Sequence, residues 1–135
     1  VDVGLLPELG MNFYVAASHQ GRAKIVARCL ELAGHKVIAR WLGEPFCRTR
    51  YLSEESRMLV AKMCADDIAE ADALVLLSDD ARTPGGKFIE AGIALGQGKR
   101  VFVIGWRENC LLWHPDCFQF ESVSHLIATI DSTYD

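Results

Sequence analysis

The sequence predicts an α/β fold, a flavodoxin-like (Rossmann-like) doubly wound parallel sheet of five strands in the order 2-1-3-4-5. Three observations carry this expectation. Short apolar runs such as Ala73-Leu74-Val75-Leu76-Leu77 alternate with longer segments of helical periodicity. The runs are continuous rather than alternating, as strands buried on both faces must be. Glycines stand where helices should stop, at Gly34 and Gly98.

Taken in order, residues 1–10 have weak periodicity and are expected to be a leader or a cloning remnant, leaving 11–135 as a single domain. Residues 12–17 read as the first strand. Residues 21–33 follow as a helix, with Ile25, Cys29 and Leu32 at helical spacing and Gly34 as its stop. The second strand is expected over 35–42. Residues 43–52, with Pro45 and little periodicity, form a loop longer than most connections and are a candidate substrate flap. Ser53 caps the next helix, which runs to about Ala71, with Ser56 where a capping box would prefer Glu. Strand three covers 73–78, helix three 87–97, strand four 100–105, strand five 117–120 and the last helix 123–130, with a second long loop over 106–116.

Composition narrows the function. The chain has 135 residues, enough for a full core, of which 50% are hydrophobic and 24% charged, with a net charge of −4. That balance argues against disorder and against a surface for a nucleic acid polymer. No apolar run approaches the roughly 20 residues that span a bilayer, and no signal peptide is recognisable, so a soluble protein without a membrane partner is expected. Cys29, Cys47, Cys64, Cys110 and Cys117 are odd in number and form no CxxC, which fits reduced thiols in a cytoplasmic protein. His19, His35, His114 and His125 are scattered, with no metal-ligand spacing. Neither a metal nor another cofactor is expected.

In the order 2-1-3-4-5 the winding reverses between strands one and three, so a crevice opens at their carboxyl ends. The loops 18–22 and 79–86 land there. Ser18-His19-Gln20-Gly21-Arg22 combines a hydroxyl, a glycine, a helix N-terminus and a guanidinium, which suits a phosphate or a polyhydroxy sugar. The same residues also read as an ordinary N-cap beside an exposed arginine. Asp79 and Asp80 leave strand three within reach of a sugar hydroxyl. Glu90 is expected in the first turn of helix three, where the dipole favours an anion whether or not it reacts. Gly85 and Gly86 tip the reading toward function, because two successive glycines permit close backbone approach to a ligand. The dipole and the glycine-rich turn would then keep Glu90 ionised, as an attacking carboxylate must be. Asp67, on the apolar flank of its helix, reads either as a proton donor of raised pKa or as a boundary residue hydrogen-bonded near the helix end. Tyr14 is a core residue by default unless its hydroxyl reaches the crevice.

Four segments together resemble the nucleoside 2-deoxyribosyltransferase family. They are Asn12-Phe13-Tyr14-Val15-Ala16-Ala17-Ser18, the stretch 67–77 beginning Asp67-Ile68-Ala69, the stretch Gly85-Gly86-Lys87-Phe88-Ile89-Glu90-Ala91-Gly92, and Gly98-Lys99-Arg100-Val101-Phe102-Val103-Ile104-Gly105. The resemblance runs from Met11 to the end, and its most specific part is the Gly-Gly to Glu90 segment. It implies either exchange of bases between 2′-deoxynucleosides or hydrolysis of the N-glycosidic bond of nucleoside 5′-monophosphates. By the same resemblance Glu90 would attack C1′ of the sugar, with retention as in retaining glycosidases. Tyr14 would steady the carboxylate and Asp67 would assist the leaving base. Ser18, Gly21 and Arg22 would hold the 5′ end. Asn109, in the loop after strand four, would reach the sugar site of a neighbouring subunit, implying a homodimer or higher homo-oligomer. The chain departs from the family pattern in two places. Pro84 stands six residues before the nucleophile, where some transferases carry an acid, and Cys64 stands where many relatives carry the helix acid.

Rival readings meet specific obstacles. A phosphorylated receiver domain needs an acidic pair after strand one to bind magnesium, and Ala17-Ser18-His19 offers none. A Walker loop fails because Phe88 follows Lys87 and position 81 is not glycine. Nucleotide phosphoribohydrolases of the lysine-decarboxylase-like group share the Pro84-Gly85-Gly86 turn but carry an earlier glycine-rich loop. A non-catalytic nucleotide-binding or sensing module of the same fold remains as the alternative.

Overall fold

The computed structural model describes residues 10–44, 52–80 and 85–132. Its strands are β1 (Asn12–Ala16), β2 (Lys36–Val37), β3 (Ala73–Leu77), β4 (Arg100–Ile104) and β5 (Cys117–Phe120). All pair in parallel in the order β2-β1-β3-β4-β5, so the expected topology is the observed one. The helices are α1 (Gln20–Leu32), α2 (Glu54–Glu70), α3 (Gly86–Gly96) and α4 (Val123–Ser132). Of the expected leader, residues 1–10, residues 1–9 lie outside the described residues. Gly10 lies against Gly34, and Met11 is buried with its N–H donated to His35 Nδ1 at 2.9 Å.

The pleat sorts the strand side chains into two cores. Phe13, Val15, Val75, Leu77, Phe102 and Ile104 point to one face, where α1 supplies Ala23, Val26 and Leu30 and α4 supplies Leu126 and Ile130. Tyr14, Ala16, Leu74, Leu76, Val101 and Val103 point to the other, under Ile68 of α2 and Ala91 and Ala94 of α3. Every residue of β3 is buried because both faces are covered. Tyr14 therefore lies on the α2 and α3 side, and that decides which helices can meet its hydroxyl.

Two expectations need correction. In α1 the face formed by Ile25 and Leu32 is turned to solvent, at 68% and 72% exposure, while Ala23, Val26, Ala27 and Leu30 are buried. Small residues on the inner face let the helix sit close to the sheet, and both stripes have helical spacing. The second strand, expected over 35–42, pairs only at Lys36–Val37. It is an edge strand with one neighbour, and side-chain bonds pull the following residues out of line. The Trp41 indole N–H donates to Val15 O at 2.9 Å, and the Gln20 amide donates to the carbonyls of Trp41, Leu42 and Glu44 at 2.9, 3.2 and 2.7 Å. The chain folds into a short 3-10 turn at Arg40–Gly43 over the end of β1. Of the expected flap, residues 45–51 lie outside the described residues. Ser53 caps α2 as expected, its hydroxyl accepting the Ser56 N–H at 3.1 Å. Among the described residues no helix is long and apolar enough to cross a membrane.

Candidate functional site

The candidate site lies toward the carboxyl ends of β1 and β3, which pair from Phe13 with Ala73 to Ala16 with Leu76. From β1 the Tyr14 hydroxyl donates to Oε2 of Glu90 on α3, joining residues 76 apart in the chain. The phenol is buried, and burial together with the neighbouring Glu90 carboxylate raises its pKa far above the ordinary value. It therefore stays protonated, a fixed donor to the carboxylate.

Glu90 is not in the first helical turn. Gly85 takes a left-handed conformation at φ 88°, serves as the N-cap and starts α3 at Gly86, so Glu90 stands in the second turn. The helix dipole falls off within the first turn, and burial decides the protonation instead. It raises the Glu90 pKa from 4.5 to about 7, opposed by the Tyr14 hydrogen bond. The expectation that dipole and turn keep Glu90 ionised is thus corrected. The carboxylate is balanced near neutrality, where a partly desolvated anion is reactive. Of the two glycines, Gly85 is required by its positive φ. Among the described residues nothing lies within 4 Å of a Cβ placed on Gly86.

The residue of α2 beside this pair is Cys64, whose side chain hydrogen-bonds with the Tyr14 hydroxyl. Asp67, one turn further along, is 3% exposed and both its oxygens are engaged by Arg40. The Arg40 backbone N–H donates to Oδ2 at 2.8 Å, and its guanidinium meets Oδ1 at 2.9 Å through both Nε and Nη2. The Arg40 guanidinium itself is largely exposed, and Asp67 holds its pKa above the ordinary value.

At the switch point, Arg22 reaches from the first turn of α1 and donates to the carbonyl of Ser78, bridging the β1 and β3 exits. The Ser78 hydroxyl in turn donates to Trp106 O, which binds the β4 exit to the same point. Gly105 at φ 115° allows this approach, since a Cβ there would lie 2.8 Å from the Ser78 Cβ. Ser18 is half-buried, Gly21 lies exposed in the first turn of α1, and Asp80 is exposed beyond β3. Asp79 pairs with the buried Lys87 at 3.4 Å. Asn109 is exposed, and its side-chain oxygen accepts the Leu111 N–H at 3.0 Å, capping the turn at Cys110–Trp113.

The structure thus brings Tyr14 to Glu90 and Arg22 to the β3 exit, and it engages Asp67 with Arg40. Several contributors escaped the sequence reading: Gln20, Arg40, Ser78, Lys87 and Glu108. Only Lys87 left a signal, because a lysine in the first turn of a helix opposes the dipole and needs another reason to be there.

No family model matches the chain, and no curated protein matches it in sequence. Solved structures do resemble it. A 2-deoxyribosyltransferase from Bacillus psychrosaccharolyticus superposes with a TM-score of 0.65 at 24% identity, covering 86% of this chain and 90% of that one. A CMP N-glycosidase of Clostridium botulinum gives 0.58 at 18% identity, covering 89% and 98%. At these identities the likeness shows a shared fold along nearly the whole of each chain.

Proposed function

We propose that this protein is a nucleoside 2-deoxyribosyltransferase-like enzyme. In this reading it cleaves the N-glycosidic bond of 2′-deoxynucleosides or their 5′-monophosphates through Glu90 and passes the deoxyribosyl group to another base or to water. The observation that carries the reading is the Tyr14 hydroxyl bound to a Glu90 carboxylate of pKa about 7 at the crevice end of the sheet. The two structural neighbours, one a 2-deoxyribosyltransferase and one a CMP N-glycosidase, support it.

In the first step a Glu90 oxygen forms a bond to C1′ while the C1′–N bond breaks. The electron pair leaves with the base, which takes up a proton from solvent. The resulting glycosyl ester is resolved when an acceptor nitrogen or water attacks C1′, breaking the C1′–O bond, giving up its proton to solvent and returning Glu90 as carboxylate. Tyr14 holds Oε2 in place, leaving the other oxygen to attack. Asp67 acts as a positioning residue through Arg40, whose exposed guanidinium is available to the departing base. Ser18, Gly21 and Arg22 receive the 5′ end, while Asp79, Asp80, Gly85 and Gly86 line the sugar. Asn109 serves the sugar site of a second copy, in a homodimer or larger assembly acting on cytoplasmic nucleosides or nucleotides.

The test is a panel of 2′-deoxynucleosides and 5′-monophosphates, each with and without a free acceptor base, followed by chromatography of released base. Exchange with acceptor identifies a transferase, and release without it a hydrolase. No turnover across the panel overturns the reading and leaves a nucleotide-binding module.

The Tyr14→Phe variant separates two contributions of the phenol. Its hydrogen bond lowers the Glu90 pKa against burial. Removal should therefore move the acidic limb of the kcat/KM profile upward from about 7. It should also reduce the plateau by about 10- to 100-fold through lost orientation. An unchanged profile would show that the hydroxyl takes no part.

A further inference from the structure

Lys87 is the least expected charge in the molecule. It stands in the first turn of α3, where the dipole repels a cation, yet its side chain is 2% exposed. Burial of an ammonium requires partners, and Lys87 has them on two loops. Its Nζ donates to Glu108 Oε2 at 2.7 Å, in the segment after β4, and meets Asp79 Oδ1 at 3.4 Å, in the segment after β3. It also donates to Leu77 O, at the last residue of β3, at 3.2 Å. The carboxylates of Asp79 and Glu108 are themselves mostly covered, at 13% and 15% side-chain exposure. Without the ammonium, two like charges would face each other there.

Lys87 and Glu90 are three residues apart on one helix and so share a face. One end of that face is tied to β1 through Tyr14, and the other to the exits of β3 and β4 through Lys87. Glu108 adjoins Asn109, so the ion pair reaches the residue that the functional reading gives to the sugar site of a second copy.

We propose that Lys87 is a positioning residue that locks the loop after β4 against α3 and so fixes Asn109 where it meets the sugar bound at Glu90 of a second copy. The inference rests on the glycosyl-transfer reading. Lys87 does not touch the substrate. Its effect passes through Glu108, and the Glu90 environment of burial and Tyr14 is left as it is.

The experiment compares wild type, Lys87→Met, Lys87→Arg, Glu108→Gln and the Lys87→Met/Glu108→Gln double variant at a temperature where each is folded by circular dichroism. Lys87→Met should lower kcat by about 10- to 100-fold, the scale of a misplaced reacting pair, while its acidic limb stays near 7. Lys87→Arg should restore most of the loss because it keeps the cation. Adding Glu108→Gln to Lys87→Met should cost nothing further, since the shared contact is already gone. Wild-type kcat in Lys87→Met, with only a lowered melting temperature, overturns the proposal and leaves the functional reading intact. Absence of turnover in wild type overturns both. Should Lys87→Met fail to fold, Glu108→Gln decides alone, and an unchanged kcat there overturns the proposal.

Discussion

Replacing Glu90 by glutamine is expected to abolish base release while stabilising the fold at neutral and alkaline pH. The first effect follows from the proposed chemistry. An amide has no anionic oxygen to attack C1′, and removing a nucleophile costs at least about a thousand-fold in kcat. The second follows from proton linkage. Burial raises the Glu90 pKa from 4.5 to about 7 in the folded protein, so the folded state holds this proton more tightly than the unfolded chain. The protonated form therefore favours folding fully below about 4.5, and that contribution is lost as pH rises through about 7. Above that point the fold carries a half-buried carboxylate that Gln never forms. With allowance for partial solvent access, the variant should gain on the order of 2 kcal/mol over wild type at pH 8 and little at pH 4. Denaturant melts at the two pH values measure the gain, and the chromatographic assay measures the activity. Equal stability at both pH values would show that Glu90 is not held in the desolvated environment described above. In wild type the same pKa predicts kcat/KM rising about ten-fold per pH unit below 7 and levelling above it.

The Gly105→Ala variant is expected to lose about 2 to 5 kcal/mol, from backbone strain and from overpacking together. Gly105 has φ 115°, and a Cβ there would lie 2.8 Å from the Ser78 Cβ and 3.3 Å from its Oγ. Ser78 cannot yield freely. Its N–H is bonded to Ile104 O at 3.0 Å, its carbonyl accepts from Arg22 and its hydroxyl donates to Trp106 O. Displacing Ser78 would shift the segments that meet at the carboxyl ends of β1, β3 and β4, so in the proposed reading substrate affinity should fall along with stability. The control is Gly92→Ala, an exposed position inside α3 where no described residue beyond the helix's own backbone lies within 4 Å of the added Cβ. There the higher helix propensity of alanine should stabilise by about 0.5 to 1 kcal/mol. Shifts in urea midpoint with an unchanged slope distinguish the two. A Gly105→Ala protein as stable as wild type would mean that the Ser78 contact is loose.

These two variants probe different kinds of information in the chain. The loss at Gly105 comes from a contact with Ser78, two strands' ends brought together by the register of β3 on β4. Nothing local to Gly105 announces it. The role proposed for Glu90, by contrast, is argued from neighbours within a few residues, because a glycine pair before a helix constrains the backbone wherever it occurs.

By itself the sequence determined the order of elements, the parallel sheet 2-1-3-4-5 and the cap at Ser53. Those features depend on periodicity, apolar runs and turn residues, which act over a few positions. Only the tertiary structure decided which stripe of α1 is buried, where β2 ends and how Glu90 is protonated. It alone joined Tyr14 to Glu90, Arg40 to Asp67 and Lys87 to Asp79 and Glu108. Such contacts form between side chains from separate elements. Their burial, and hence their charge state, is set by the surfaces that close over them.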